Sequence, residues 1–309
     1  MNSRKIIAEA WEFTRDNKRL MWWFSFFPSL LSLIVSIIYV TYQFFAFKRS
    51  ALFDNAHTSF LVEAATGIIT FLNTHSGLWI PAILITVVVG LLYFLLPTIC
   101  QAGMIRYIAR HRTGEQVRLS SALSFGILIF LPLLEYHLLV KSFSYISIFG
   151  EAGFVVRNLG VDVMETFLPI FIIVLVFGFF LTLLFTYSDF FIVLEKKSVV
   201  ESMTASAKLV ILSWKHTFII GILMLIIGMR IIINVVIVLL IPLLLFVLGG
   251  YVASVTFAAI GIYLGIFLGF IALFLSAYFS AILNVFANAV WTYTFLHLRG
   301  EKDIQEEIS

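Results

Sequence analysis

From Thr217 to Leu298 the chain carries a single Lys, Arg, Asp or Glu, namely Arg230. A run of that length without charge cannot be wrapped into a water-soluble core. It demands a solvent as apolar as itself, and a spanning helix needs about 20 mainly apolar residues. The rest of the chain agrees. Of the 309 residues 61% are hydrophobic and 12% charged, against roughly 25% charged in an ordinary globular domain. The mean hydropathy of +1.07 points the same way. The 33 Phe suit lipid-facing helices, and Trp and Tyr suit the headgroup level. Disorder is excluded, because disordered segments are poor in such residues.

The chain is therefore expected to be an all-α, polytopic helical membrane protein with about six transmembrane helices. Residues 1–20 form a first amphipathic helix, and 21–309 one transmembrane domain with spans at 21–47, 78–105, 121–146, 166–192, 217–248 and 260–298. Met21–Phe47 is too long for the apolar region of a cleavable signal peptide, so it is expected to remain as the first span. Gly249 and Gly250 separate the last two spans. The third span is the least apolar, with Glu135, His137 and Lys141 inside it. The segment before Leu78, interrupted by Asn73, His75, Ser76 and Gly77, is expected to be a surface helix.

Basic residues set the orientation. With the N-terminus inside, fifteen Lys and Arg fall in inner segments (Arg4 to Arg19, Arg106 to Arg118, Lys196 to Lys215, Arg299 and Lys302). Only Lys48, Arg49, Lys141 and Arg157 fall outside. Positive residues are retained on the cytoplasmic side, so both termini are expected there. The +3 net charge is thus an orientation signal rather than a nucleic-acid patch.

The inner segments show helical periodicity. Ile6, Ile7, Ala10, Trp11 and Thr14 share one face before the first span; Val199, Val200, Met203, Ala207, Val210, Ile211 and Trp214 do so before the fifth. Each is expected to lie on the cytoplasmic membrane surface, with Ser206 on the wet side. A shorter counterpart, Leu119–Phe125, precedes the third span, which gives the pattern of three units, each a surface helix followed by a hairpin.

Three of these stretches carry a family resemblance: Gly103–Ala122 (GMIRYIARHRTGEQVRLSSA), Ile192–Ile220 (IVLEKKSVVESMTASAKLVILSWKHTFII) and Trp291–Gly300 (WTYTFLHLRG). With Gly114 and Glu115, Glu195, Tyr293 and the Leu298-Arg299 pair, the chain resembles the membrane domain fused to some bacterial glycerophosphodiester phosphodiesterases, and its stand-alone six-helix relatives. The resemblance implies a bacterial inner-membrane protein. It implies no phosphodiesterase activity, since that chemistry belongs to a soluble metal-binding barrel for which this chain has no polar segment long enough.

Ionisable groups inside a bilayer cost at least about 2.5–3.5 kcal/mol each and so need a reason. Counted at 1.5 Å per residue, Glu135 and Arg230 both lie roughly 20 Å deep, which makes them a candidate ion pair, structural or on a substrate path. His137 is expected near the outer interface with Lys141, whose long stem reaches the headgroups. Asn234, Asn284 and Asn288 are candidate packing groups or path-lining groups. Gly261, Gly265 and Gly269, spaced by four, offer a flat face to another helix. No catalytic motif, metal-ligand set or cofactor fingerprint is found. The single Cys100 excludes an intrachain disulfide. The expected partners are the lipid bilayer and a protein in the membrane, with no nucleic acid. Function is expected to be non-enzymatic, through lipid or a membrane partner, with a small transporter or channel as the alternative.

Overall fold

A computed structural model describes residues 3–48, 60–115, 117–141, 145–229 and 258–300, and its regular structure is helical throughout these residues. Five helices are long and apolar enough to cross a membrane: Lys18–Ala46, Ser76–Arg112, Leu119–Val140, Val161–Leu194 and Phe267–Arg299. A sixth crossing is available if Val199–Leu212 and Trp214–Met229, bent by 95° at Ser213, count as one. The apolar surface is turned outward. In the most apolar stretch of Val161–Leu194, of mean hydropathy 2.9, only 6% of residues are buried. Ile80 is 80% exposed and Leu128 78%. Such faces are stable only in contact with lipid tails. These are helices of the length and composition that a multi-pass membrane protein has.

The expected spans at 78–105 and 260–298 match Trp79–Arg112 and Ala258–Arg299. The segment before Leu78 holds a helix, Phe60–Thr74. Of the third expected span, 121–146, the helix Leu119–Lys141 is described; residues 142–144 lie outside the described residues, and the helix Tyr145–Leu159 follows them. The fourth is interrupted at 185–187, between Val161–Leu184 and Ser188–Leu194. Of the fifth, Trp214–Met229 is helical and the remainder to 248 lies outside the described residues.

The chain divides into two compact units. The first comprises residues 1–33, 100–127 and 211–309. Here Ser3–Asp16 buries Ile6, Ala10, Phe13 and Thr14 against Ala258–Arg299. Trp11 meets Phe286 edge-on at 5.7 Å, and Phe13 likewise meets His111 and Tyr293 edge-on. The expectation that this helix rests its apolar face on the membrane is therefore corrected. Its periodicity is genuine, but the face is covered by protein. Arg112 secures the arrangement, reaching Glu9 at 2.9 Å and lying over the Tyr293 ring at 4.3 Å.

Next comes a π-helical stretch, Met21–Phe26, whose wider turn exposes Ser25 to another helix. The Ser25 hydroxyl donates to the Ala281 carbonyl at 3.1 Å, and Trp22 and Phe26 pack on Phe274. The tightest approach is at Gly103. A Cβ there would lie 2.5 Å from the Phe24 ring and 2.8 Å from the Ala122 carbonyl oxygen. Of the expected glycine face of the last helix, nothing comes within 4 Å of a Cβ built at Gly269, while the surroundings of Gly261 and Gly265 lie outside what the structure describes.

The second unit comprises residues 34–99 and 128–210. Tyr145–Leu159 packs on Val161–Leu184, the two joined through Gly160 at φ 94°, a backbone conformation that only glycine adopts without strain. Arg157 anchors Tyr145–Leu159 by donating to the Gln43 side-chain oxygen at 2.6 Å. Val199–Leu212 opens with the sequence Ser-x-x-Glu, and the Ser198 amide donates to the Glu201 carboxylate at 3.1 Å, half of a capping box.

Candidate functional site

Two polar centres emerge, one in each unit. The first is a basic cavity of about 750 Å³ lined by residues 15–20, Tyr107 and residues 117–120. Asn17 creates it. With φ −102° and ψ 50° this residue leaves helical geometry, ending Ser3–Asp16 and starting the helix that becomes the first span. Its side-chain amide donates to the Phe13 carbonyl at 2.9 Å and its side-chain oxygen accepts from the Tyr107 hydroxyl at 3.3 Å. No side-chain hydrogen bond caps the new helix start.

Four cations line the cavity, Arg15, Lys18, Arg19 and Arg118, against one carboxylate, Asp16. Arg15 is paired with Asp16 at 3.1 Å. Lys18, Arg19 and Arg118 make no ion pair among the described residues. The neighbouring arginines are used differently. Arg106 lies over the Phe125 ring at 3.7 Å, and Arg110 reaches Glu115 at 3.5 Å.

The second centre surrounds the break after Leu184. Ser206, fully buried, donates its hydroxyl to the Leu184 carbonyl at 2.8 Å and accepts from the Tyr187 amide at 3.0 Å. The Tyr136 hydroxyl donates to the Phe185 carbonyl at 2.9 Å. Backbone groups freed by the interruption are thus satisfied from two other helices, which is what permits a broken helix in an apolar setting. Beside them His137 Nε2 lies 3.3 Å from one Asp189 oxygen and 3.5 Å from the other. Below the break Glu195 is almost fully buried and pairs with Lys197, whose ammonium also lies 4.7 Å from the Phe191 ring centre.

The residues singled out by sequence fare unequally. Glu135 lies on the exposed side of Leu119–Lys141, between the buried Leu133 and Tyr136. Arg230 and Asn234 lie outside the described residues, and with them the proposed ion pair. Asn288 donates to the Asn284 side-chain oxygen at 2.8 Å and to its carbonyl at 2.9 Å, so its amide nitrogen is engaged within its own helix. Thr292 extends the row by donating to the Asn288 carbonyl. His137, expected beside Lys141 at the outer interface, instead meets Asp189, close in sequence to the basic Lys196-Lys197 pair.

Sequence reasoning missed Asp189 and Ser206. Asp189 does carry a signal, ending the uncharged run of the fourth span, but its partner is 52 residues away. Ser206 was expected on the wet side of its helix, and this is corrected: the buried face is Val199, Ser202, Ser206 and Val210. Small serines allow close approach where bulkier residues would not.

A cavity of about 220 Å³ adjoins the break, lined by Leu139, Val140, Leu181, Phe185 and Met203. Its walls offer water no partner, and a water site needs two to four. Among the described residues no three His, Cys, Asp or Glu side chains come together as metal ligands. No family model matches the chain, and neither the curated proteins nor the solved structures contain a match.

Proposed function

We propose that this is a non-enzymatic protein of the bacterial inner membrane, with both termini cytoplasmic, that engages lipid at the cytoplasmic surface through Val199–Leu212. The supporting observation is the three-sided character of that helix. One side, Val199, Ser202, Ser206 and Val210, is buried in protein. The opposite side holds the exposed Glu201, Thr204 and Lys208. Between them runs an apolar stripe with Val200 72% exposed and Ile211 64%, continued by Trp214 at 58%. A helix with one protein side, one apolar side and one charged side fits the boundary between headgroups and acyl chains. Trp214 suits that level. The resemblance to the phosphodiesterase-linked membrane domain is part of this proposal and favours the same location.

A transporter would need a hydrated polar path. The apolar cavity beside the helix break and the bonding of the Asn288 amide to Asn284 in the same helix offer it little support.

Spin labels placed singly at Val200 and Ile211 in liposomes should be shielded from aqueous quenchers and reached by lipid-soluble oxygen, while a label at Lys208 should show the reverse. Equal aqueous access at all three positions would refute the reading. The cap gives a second check. The hydrogen bond from Ser198 holds the Glu201 carboxyl below its ordinary range. A depressed value means that the cap stabilises the helix at neutral pH and is lost as the pH falls through the folded-state value. Amide exchange in the first turn of Val199–Leu212 should therefore accelerate on acidification after correction for intrinsic rates. In Glu201→Gln it should change little; an identical acid response in both would discount the cap.

A further inference from the structure

We infer that the basic cavity between residues 15–20 and 117–120 binds the phosphate headgroup of an anionic phospholipid. The inference rests on the proposed membrane placement and adds a specific ligand site to it. Two chain segments about a hundred residues apart bring four cations to one concavity, and three of them have no carboxylate partner among the described residues. Like charges gathered without counter-charge repel, so their convergence favours an anion. The helix beginning at Lys18 adds a positive terminus that no side-chain hydrogen bond caps, while Asn17 bonds to Phe13 and Tyr107. The volume of about 750 Å³ lies within the range of small-molecule sites, roughly 300–1,000 Å³.

The lipid, rather than a soluble phosphate, is indicated by where the cavity sits in the chain. Its two walls are the starting points of two membrane-crossing helices, Lys18–Ala46 and Leu119–Val140. Leu119 lines the same cavity as the cations, so a charged head and the start of an acyl region find matching surfaces side by side. Basic pockets beside spanning helices recognise anionic lipid heads in this way.

The test is lipid binding by the purified full chain in neutral detergent, followed by native mass spectrometry with phosphatidylglycerol, phosphatidylcholine or inorganic phosphate as probe. Phosphatidylglycerol should bind saturably and phosphatidylcholine much more weakly. The combined change Lys18→Gln, Arg19→Gln and Arg118→Gln should weaken phosphatidylglycerol by at least about tenfold, since charge-assisted contacts are lost at three positions. An equal loss of charge elsewhere, Arg4→Gln with Lys5→Gln and Lys302→Gln, should change affinity by less than about threefold if binding is local rather than diffuse. Should the first triple variant fail to fold, Arg118→Gln alone, at an exposed position, should still weaken binding measurably. Equal binding of both lipids, equal losses in the two triple variants, or inorganic phosphate binding as tightly as the lipid would each overturn the assignment. Failure here is separable from failure of the surface-helix reading, because the depths of labels at Val200 and Ile211 do not depend on residues 18, 19 and 118.

Discussion

Gly103→Ala should lower the stability of the folded protein by about 1–3 kcal/mol, the usual cost of forcing an extra carbon into a filled site. The new methyl would stand 2.8 Å from the Ala122 carbonyl oxygen. The Phe24 ring can swing aside, but the Ala122 backbone belongs to the helix that starts at Leu119 and can yield only by moving that helix. The effect should appear as a drop in the detergent melting temperature. Gly90→Ala in the same helix is the control, because nothing lies within 4 Å of a Cβ built there. Alanine is the better helix former, so that change should be neutral or mildly stabilising. Equal melting temperatures for the two variants would show that the close approach at Gly103 is not maintained.

Ser206→Ala is the second large effect. One hydroxyl serves both edges of the break, giving a proton to the Leu184 carbonyl and taking one from the Tyr187 amide. Without it two buried backbone groups lose their partner, at about 1–3 kcal/mol for each group left unsatisfied. Thr204→Ala on the exposed side of the same helix, where the hydroxyl bonds only within its own helix, should stay within about 0.5 kcal/mol. If Ser206→Ala melts together with Thr204→Ala, water or a neighbouring group replaces the hydroxyl, and the break does not depend on it.

The long apolar runs were legible as spans because hydropathy over about 20 residues is a property of the solvent and needs no knowledge of partners. Hence Trp79–Arg112 and Ala258–Arg299 appear where the sequence indicates. The faces of the amphipathic helices were less legible. Periodicity reveals that Ile6, Ile7, Ala10, Trp11 and Thr14 form a stripe, but a stripe that meets another helix, as Trp11 meets Phe286, looks the same in sequence as one covered by lipid. In Val199–Leu212 the expected apolar face divides: Val199 and Val210 enter the protein beside Ser202 and Ser206, while Val200 and Ile211 stay exposed.

The interruption at 185–187 was illegible for a further reason. It contains neither glycine nor proline, and is held from outside by Tyr136 and Ser206. Local propensity carries no trace of such a break. For the basic cavity the clusters themselves were visible, as an orientation signal, but their convergence required Asn17 to end one helix and Tyr107 to hold the turn.

The central claim is a multi-pass chain with both termini, the basic cavity and Val199–Leu212 on the cytoplasmic side, and topology mapping tests it most directly. Reporter fusions after Arg112, Lys197 and Ser309 should read as cytoplasmic, and those after Arg49 and Arg157 as external. A cytoplasmic signal after Arg157, or an external one after Lys197, would contradict it.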